Sequence, residues 1–116
     1  MRVHNLYCDA DGQSHFRDID IDLTEPWLGG FLSKPQSVSA MLFRQLPPGV
    51  TLDWHNAPRR QYVIYLDGRL KTTASDGQSR TLGPDDVMLV EDTTGKGHKV
   101  ETLEGAPFGA IFVAVT

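Results

Sequence analysis

The stretch GVTLDWHNAPRRQYVIYLDG, residues 49–68, decides the fold class because it sets two strand-like runs between turn residues. The runs are Val50–His55 and Gln61–Leu66, and their β-branched and aromatic residues are typical of strands. Turn signals bound both runs, with Pro47-Pro48-Gly49 before them, Pro58 between them and Asp67-Gly68 after them. The stretch therefore predicts two short strands that alternate with tight turns.

Strand-like runs bounded by turn residues continue on both sides of residues 49–68. A hairpin of Arg2–Tyr7 and Ser14–Ile21 is predicted within about residues 1–22, around Asp11-Gly12, whose glycine accepts a positive φ. No segment of ~11 residues or more has a helical period, so we expect at most one short helix, near Glu25–Leu32. Many short strands at this spacing predict an all-β sandwich or barrel, and a closed barrel can enclose one small ligand. Six more runs have the length and composition of strands: Ser37–Leu46, Arg69–Thr73, Ser79–Leu82, Val87–Val90, His98–Thr102 and Phe108–Val115.

Length, charge and cysteine content narrow the class of protein. A chain of 116 residues fits a single domain over residues 1–116. Its 11 basic and 15 acidic residues give a formal charge of −4, whereas nucleic-acid binding needs clustered positive charge. No run approaches the ~18 apolar residues of a membrane-spanning helix, so neither a nucleic-acid nor a membrane partner is expected. The start MRVHNLYCDADG lacks the apolar run of a secretory signal, and the single Cys8 cannot form an internal disulfide, so we expect a cytoplasmic protein.

Polar residues fall on the inward faces of the predicted strands. Because side chains alternate along a strand, an inward His55 brings Asp53 and Ala57 with it, while Leu52 and Trp54 face the other way. We expect the inward sets of several strands to converge at the mouth of a barrel. The two other inward sets are Gln61, Val63 and Tyr65 on one strand and His98, Val100 and Thr102 on another.

Two spaced motifs in the chain resemble those of the small single-domain cupins. The first cupin motif runs Gly, five residues, His-x-His, three or four residues, Glu, six residues, Gly. The chain keeps this spacing from Gly49 through His55 to Gly68, with Ala57 in place of the second histidine and Gln61 in place of the glutamate. The second motif ends in Gly-x-x-His, which matches Gly95-Lys96-Gly97-His98, although the loop before it is two residues longer and Thr102 replaces the final asparagine.

The resemblance implies a cupin-type jelly-roll barrel (a double-stranded β-helix) over about residues 37–115, and a homodimer. The phrases DADGQSHF, WHNAPRRQY and VEDTTGKGH are also similar to a subgroup of small bacterial cupins, which brings no known reaction with it. For this chain, the resemblance implies a pocket that holds a small molecule.

The resemblance also carries an expectation about metal binding. In cupins, three histidines and a glutamate commonly hold a divalent iron, manganese, nickel or zinc ion. Carried over, the remaining ligands are His55, Gln61 and His98, but a neutral amide adds little charge to hold a dication. A catalytic zinc site normally keeps three good protein ligands. A weakly held divalent metal and a metal-free pocket therefore both stay open, and we slightly favour the metal-free pocket.

Without a metal, the same residues suit acid–base chemistry. Asp53 beside His55 favours a protonated imidazole, and a neutral His98 opposite it can act as a general base. Such a pair suits isomerisation, dehydration or cyclisation of a small metabolite. Arg59 shares the parity of Gln61, so it can reach the mouth and hold a carboxylate.

Three hypotheses about function follow. The first is a small-molecule enzyme that acts on a small, carboxylate-bearing metabolite, with a weak or absent metal and with Val63, Tyr65 and Val100 lining the pocket. The second is a non-catalytic small-molecule-binding or sensory module. The third is a structural protein whose interior is filled, with Tyr65 plugging the mouth.

Overall fold

The computed structural model describes residues 1–103 and 106–116, and within them the chain forms twelve strands and no helix. None of these residues belongs to a helix long and apolar enough to cross a membrane. The strands are β1 Arg2–Cys8, β2 Ser14–Asp20, β3 Glu25–Trp27, β4 Gly30–Leu32, β5 Val38–Leu46, β6 Thr51–His55, β7 Gln61–Tyr65, β8 Leu70–Ala74, β9 Ser79–Leu82, β10 Val87–Val90, β11 His98–Thr102 and β12 Phe108–Val115.

Two principal sheets face each other across the core. The larger has the order β2-β1-β10-β7-β12-β5, and the smaller has the order β6-β11-β8-β9. Only β1 and β10 pair in parallel, and every other pair between the described strands is antiparallel. From β5 onward the chain crosses from one sheet to the other at nearly every connection, so consecutive strands supply both layers.

The fold is therefore all-β, as predicted, with a pairing compatible with a β-sandwich. The closed barrel that we expected does not form: within the described residues, β2, β5, β6 and β9 remain at sheet edges. The chain passes between the layers through turns, and in the described residues the two sheets are hydrogen-bonded separately. Asp67-Gly68 is such a crossing, because it leads from β7 in the larger sheet to β8 in the smaller.

The predicted strands are confirmed, with ends that differ by one residue or less. The N-terminal hairpin is confirmed as β1 and β2, and it extends the larger sheet through the pairing of β1 with β10. Along β7 and β8 every second residue is buried, as period-two alternation requires. The core between the sheets is apolar, and its largest members include Leu6, Phe16, Tyr65, Met88 and Phe108.

The short helix expected near Glu25–Leu32 is wrong. These residues form a separate hairpin of β3 and β4, in which Trp27 pairs with Gly30. Leu28 and Gly29 between them have φ values of 42° and 86°, and two successive positive φ values are those of a tight hairpin turn rather than a helix. The turn at Leu28 and Gly29 therefore makes this segment a hairpin and not a helix.

Candidate functional site

A cavity of about 490 Å³ lies between the two sheets. Seven of the eight site residues predicted from the sequence line it, which are Asp53, His55, Gln61, Val63, Tyr65, His98 and Val100. Arg59 does not line it, although its Nη1 donates to Gln61 Oε1 at 3.4 Å. Arg59 therefore reaches the cavity only through Gln61.

Strand pairing brings the two motif histidines face to face. On the antiparallel strands β6 and β11, His55 lies directly opposite His98, and their ring centroids are 4.5 Å apart. The register then shifts, because Val100 lies opposite Leu52 and β6 holds one more residue than β11 over this span. This bulge breaks strict alternation, so Leu52 joins the cavity wall, contrary to the predicted parity.

His98 is held by a buried carboxylate that the sequence argument missed. Its Nδ1 donates to Asp92 Oδ2 at 2.5 Å, and the Asp92 side chain is 0% exposed. Because an ionised carboxylate only accepts hydrogen bonds, this contact assigns the proton to Nδ1 and leaves Nε2 as the unbonded nitrogen. Asp92 Oδ1 is buried with no hydrogen-bond partner among the described residues. The one signal in the sequence was an aspartate six residues before a motif histidine, in the longer loop.

Contacts with residues 55–57 hold the Asp92 loop in place. The backbone oxygen of Asp92 accepts from the Ala57 amide at 3.2 Å and from Asn56 Nδ2 at 3.3 Å. Asn56 Nδ2 also donates to the Gly95 carbonyl at 3.1 Å. Gly97 has a φ of 73°, and a Cβ there would meet the backbone carbonyl of His55 well inside contact distance, so only glycine fits. The loop is therefore fixed against β6 and its end.

His55 is oriented by backbone rather than by a carboxylate. Its Nδ1 lies 2.7 Å from the carbonyl oxygen of Asp53, which can only accept, so Nδ1 carries the proton and Nε2 is left free. The Asp53 carboxylate instead accepts from the Trp54 amide at 2.8 Å. In the described structure His55 is therefore hydrogen-bonded to the Asp53 backbone and not to the Asp53 side chain as expected. Trp54 points away from the cavity as predicted, with the Lys99 ammonium 5.7 Å from its ring.

Tyr65 and Arg44 give the cavity wall two further polar groups, a phenol and a guanidinium. Burial, with a smaller contribution from the Asp86 carboxylate, raises the pKa of Tyr65 far above its usual value, so its phenol stays protonated. The Tyr65 ring is buried and packs edge-on against Phe108 at 5.6 Å. Arg44 on β5 also lines the cavity and forms no ion pair with a described carboxylate. Arg44 was not predicted as a site residue because no inward face was assigned to its strand.

The donor set does not fit a tightly held divalent metal. His55 and His98 each offer a free Nε2, as metal-binding histidines do, with the other nitrogen held by an oxygen. The third candidate, Gln61, is a neutral amide whose oxygen already faces the Arg59 guanidinium. Residues 1–103 and 106–116 contain no group of three His, Cys, Asp or Glu side chains placed to hold a metal ion. Two imidazoles beside a cation bind a dication weakly.

No protein-family model and no curated protein matches the chain.

Proposed function

We propose that the chain is a cytoplasmic cupin-type enzyme that moves protons on a small molecule in this cavity, without a tightly bound metal. The observation that carries the proposal is that His98 lies in the cavity wall, is held from behind by the buried Asp92, and has its ring centroid 4.5 Å from that of His55. The jelly-roll assignment is supported by a chain that passes repeatedly between two sheets and by the glycine and histidine spacings of both motifs.

In the proposed reaction, Asp92 positions His98 and stabilises its imidazolium. Nδ1–H is tied to the carboxylate, so His98 Nε2 is the nitrogen that accepts a proton from substrate. His55, protonated on Nε2 from water at the exposed rim, returns a proton to a second substrate atom. One proton leaves and one is delivered, so the net change is an isomerisation. Where the second atom is a departing hydroxyl, the net change is loss of water.

We propose that the substrate bears a carboxylate. Arg44 provides a guanidinium at the cavity wall that no described carboxylate neutralises, and guanidinium pairs with carboxylates in a bidentate manner. Most of the remaining wall is apolar, with Val63, Val90 and Phe112 among its members. A small carboxylate with a short hydrocarbon body complements these surfaces.

The test is hydrogen–deuterium exchange at carbon. A panel of small 2-oxo and 2-hydroxy acids is incubated in D₂O with protein stripped of metal by EDTA, and C–H loss is followed by proton NMR. We expect exchange in at least one acid with the wild type, and its loss in His98→Ala. Asp53→Asn is the matched control, since that carboxylate lines the cavity and, among the described residues, hydrogen-bonds only to the Trp54 amide. Exchange that survives His98→Ala, or that disappears with EDTA alone, would contradict the proposal.

The second candidate is a binding or sensory module that performs no chemistry. It is favoured by the largely apolar wall and by the exposure of His55, because Arg44 and that wall suffice for binding without any proton transfer. Saturable binding of an acid by calorimetry, unchanged in His55→Ala and His98→Ala and without exchange in D₂O, would support this candidate instead.

A further inference from the structure

The turn between β1 and β2 takes no part in the chemistry proposed above, yet it contacts the loop between β10 and β11. The Gly12 carbonyl oxygen accepts from the Lys96 amide at 2.8 Å, and Ser14 Oγ donates to the Gly97 carbonyl oxygen at 2.7 Å. Both contacts fall within two residues of His98. The turn therefore supports the end of the loop that places His98 in the cavity wall.

The β1–β2 turn is packed closely against this loop. A Cβ at Gly95 would lie 2.5 Å from the Gly12 carbonyl oxygen, so no side chain fits between them. Asp9 fixes the shape of the turn, because its Oδ1 accepts from the amides of Asp11 and Gln13 at 2.9 Å and 3.0 Å. A change in the position of Asp9 therefore reaches the loop through the backbone of the turn.

His15 joins the β1–β2 turn to the β8–β9 turn of the other sheet. Its Nε2 lies 2.6 Å from Asp9 Oδ2, and its Nδ1 lies 2.8 Å from Asp76 Oδ2. Because ionised carboxylates only accept hydrogen bonds, both contacts are satisfied only by an imidazolium. A neutral His15 has one N–H group, and its other nitrogen presents a lone pair to a carboxylate.

The surroundings of His15 favour its charged form. Hydrogen bonds first to Asp9 and then to Asp76 raise its pKa above the ordinary 6.5. The other described titratable groups beside the ring are the Tyr7 phenol, whose ring lies 5.6 Å away, and the Arg17 guanidinium, which lies 4.0 Å from the Tyr7 ring. The Asp9 contact is the shorter one and lies within a single hairpin, so a neutral His15 keeps Asp9 and releases Asp76.

A second set of hydrogen bonds connects the β8–β9 turn to the same loop. Ser14 and Ser75 exchange hydrogen bonds, in which each hydroxyl oxygen accepts from the amide of the other residue at 2.7 Å. The Ser14 hydroxyl that accepts from Ser75 is also the one that donates to the Gly97 carbonyl oxygen. A shift of the β8–β9 turn therefore bears directly on the hydrogen bond that supports the loop.

We propose that protonated His15 locks the β8–β9 turn to the β1–β2 turn and so holds the loop that carries Asp92, whereas neutral His15 releases it. The loop is then held from the pH at which Asp9 ionises up to the pKa of His15, and it is looser above that pKa. His15 is a positioning residue, since it does not line the cavity. For its effect on the reaction, the inference rests on the function proposed above, because it makes His15 a regulator of the Asp92–His98 pair.

Amide hydrogen exchange in the full-length, ¹⁵N-labelled protein at about pH 6 tests the positioning without any substrate. At this pH the raised pKa keeps His15 protonated in the wild type, whereas His15→Gln is neutral and donates from one nitrogen only. We expect the amides of Lys96 and Ala57, which hold the loop, to exchange roughly two- to fivefold faster in His15→Gln, the range that one partly exposed ion pair allows. Amides of β7 should exchange as before, which shows that the variant is folded.

His4→Gln is the matched control. His4 also faces two carboxylates, those of Asp18 and Asp86, but it lies opposite Met88 on β10 and not beside the loop. This variant should leave exchange at both loop amides unchanged. In the wild type, the loop-amide rates divided by the intrinsic rate at each pH should rise roughly two- to fivefold between about pH 6 and about pH 9, and in His15→Gln they should not.

Asp76→Asn gives a second test if His15→Gln does not fold. An asparagine side chain can donate or accept, so it pairs with either state of His15, and the rise of the loop-amide rates with pH should disappear. Loop-amide rates that do not rise with pH in the wild type, or that match the wild type in both variants at every pH, would overturn the proposal.

The effect on the reaction is read from the exchange at carbon in D₂O, which should be roughly two- to fivefold slower in His15→Gln than in the wild type at about pH 6. Faster loop-amide exchange with an unchanged reaction rate would refute the regulation. A wild type that acts on no acid contradicts the proposed function alone, because the amide experiment still decides whether His15 holds the loop.

Discussion

Replacing Asp92 by asparagine is expected to separate the proposed chemistry from the stability of the fold. The substitution keeps the shape of the side chain and an oxygen that can accept from His98 Nδ1, but it removes the negative charge. In the wild type the Asp92 carboxylate is fully buried, and its Oδ2 lies 2.5 Å from His98 Nδ1. Its Oδ1 has no hydrogen-bond partner among the described residues.

The magnitude of the kinetic effect follows from the kind of hydrogen bond that is lost. A hydrogen bond to a charged group contributes about 1.5–3 kcal/mol and a neutral one about 0.5–1.5 kcal/mol. The imidazolium that forms as His98 accepts a proton therefore loses about 1–2 kcal/mol of stabilisation. At 1.36 kcal/mol for each factor of ten, the exchange rate in D₂O should fall roughly 5- to 30-fold.

Stability should respond differently. A buried carboxylate with one unpaired oxygen carries a desolvation cost, which the neutral amide relieves. The new amide NH₂ occupies the position of the unpaired oxygen and costs about 1–3 kcal/mol if it finds no acceptor. These two changes oppose each other, so we expect the free energy of unfolding of Asp92→Asn to stay within about 1 kcal/mol of the wild type.

The assay pairs urea unfolding with the D₂O exchange rate on the same preparations, and Asp53→Asn again serves as the control. Slower exchange at nearly unchanged stability is the expected result for Asp92→Asn. A loss of several kcal/mol of stability with an unchanged exchange rate would refute the reasoning, because Asp92 would then serve the fold and not the proton transfer.

Four further predictions concern the Asp9–His15 pair and the cavity. A hydrogen bond to Asp9, and a second one to Asp76, raise the pKa of His15. The stabilising contribution of His15 is therefore complete below pH 6.5 and is lost as the pH rises through the raised pKa. The unfolding temperature of the wild type should fall over this pH range, and that of His15→Gln should not. The same hydrogen bond with His15 lowers the pKa of Asp9, so the stabilising contribution of the Asp9 carboxylate is present above pH 3.8 and is lost in stronger acid. A wild-type unfolding temperature that does not change between about pH 3 and about pH 9 would contradict the predictions for His15 and for Asp9. Arg44→Gln should weaken binding of a small carboxylate about 10- to 100-fold by calorimetry, since a hydrogen bond to a charged group contributes ~1.5–3 kcal/mol, while an uncharged amide analogue should bind both forms alike. Titration with Zn²⁺ or Mn²⁺ should show no site tighter than micromolar, and stoichiometric nanomolar uptake that His98→Ala abolishes would contradict the weakness assigned to the donor set.

The strands were predictable because their signal is local. Alternate burial along Gln61–Tyr65 is a property of five consecutive residues, and the turns that bound such runs contain glycine, proline or aspartate. The helix near Glu25–Leu32 was wrong because Leu28 takes a positive φ, which residue preference does not indicate. The open edges of both sheets were beyond local patterns, since they depend on which distant strands pair.

The site was predictable where spacing alone determines position. His55 and His98 were found through their motif positions, and the structure places them in one cavity wall. Leu52 was assigned to the wrong face because alternation fails at a bulge, and a bulge is a property of the strand pair. Asp92 was missed because a loop has no periodicity from which the direction of a side chain can be inferred.

Two of the departures from the cupin-like motifs are in direct contact in the structure. Ala57 stands where the first motif has its second histidine, and the loop that carries Asp92 is two residues longer than the second motif requires. The Ala57 amide donates to the Asp92 carbonyl, and the Ala57 side chain is buried in the cavity wall. One change removes a metal ligand and the other carries a carboxylate to His98, and together they favour a site whose charge is supplied by Asp92 over one whose charge is supplied by a metal ion.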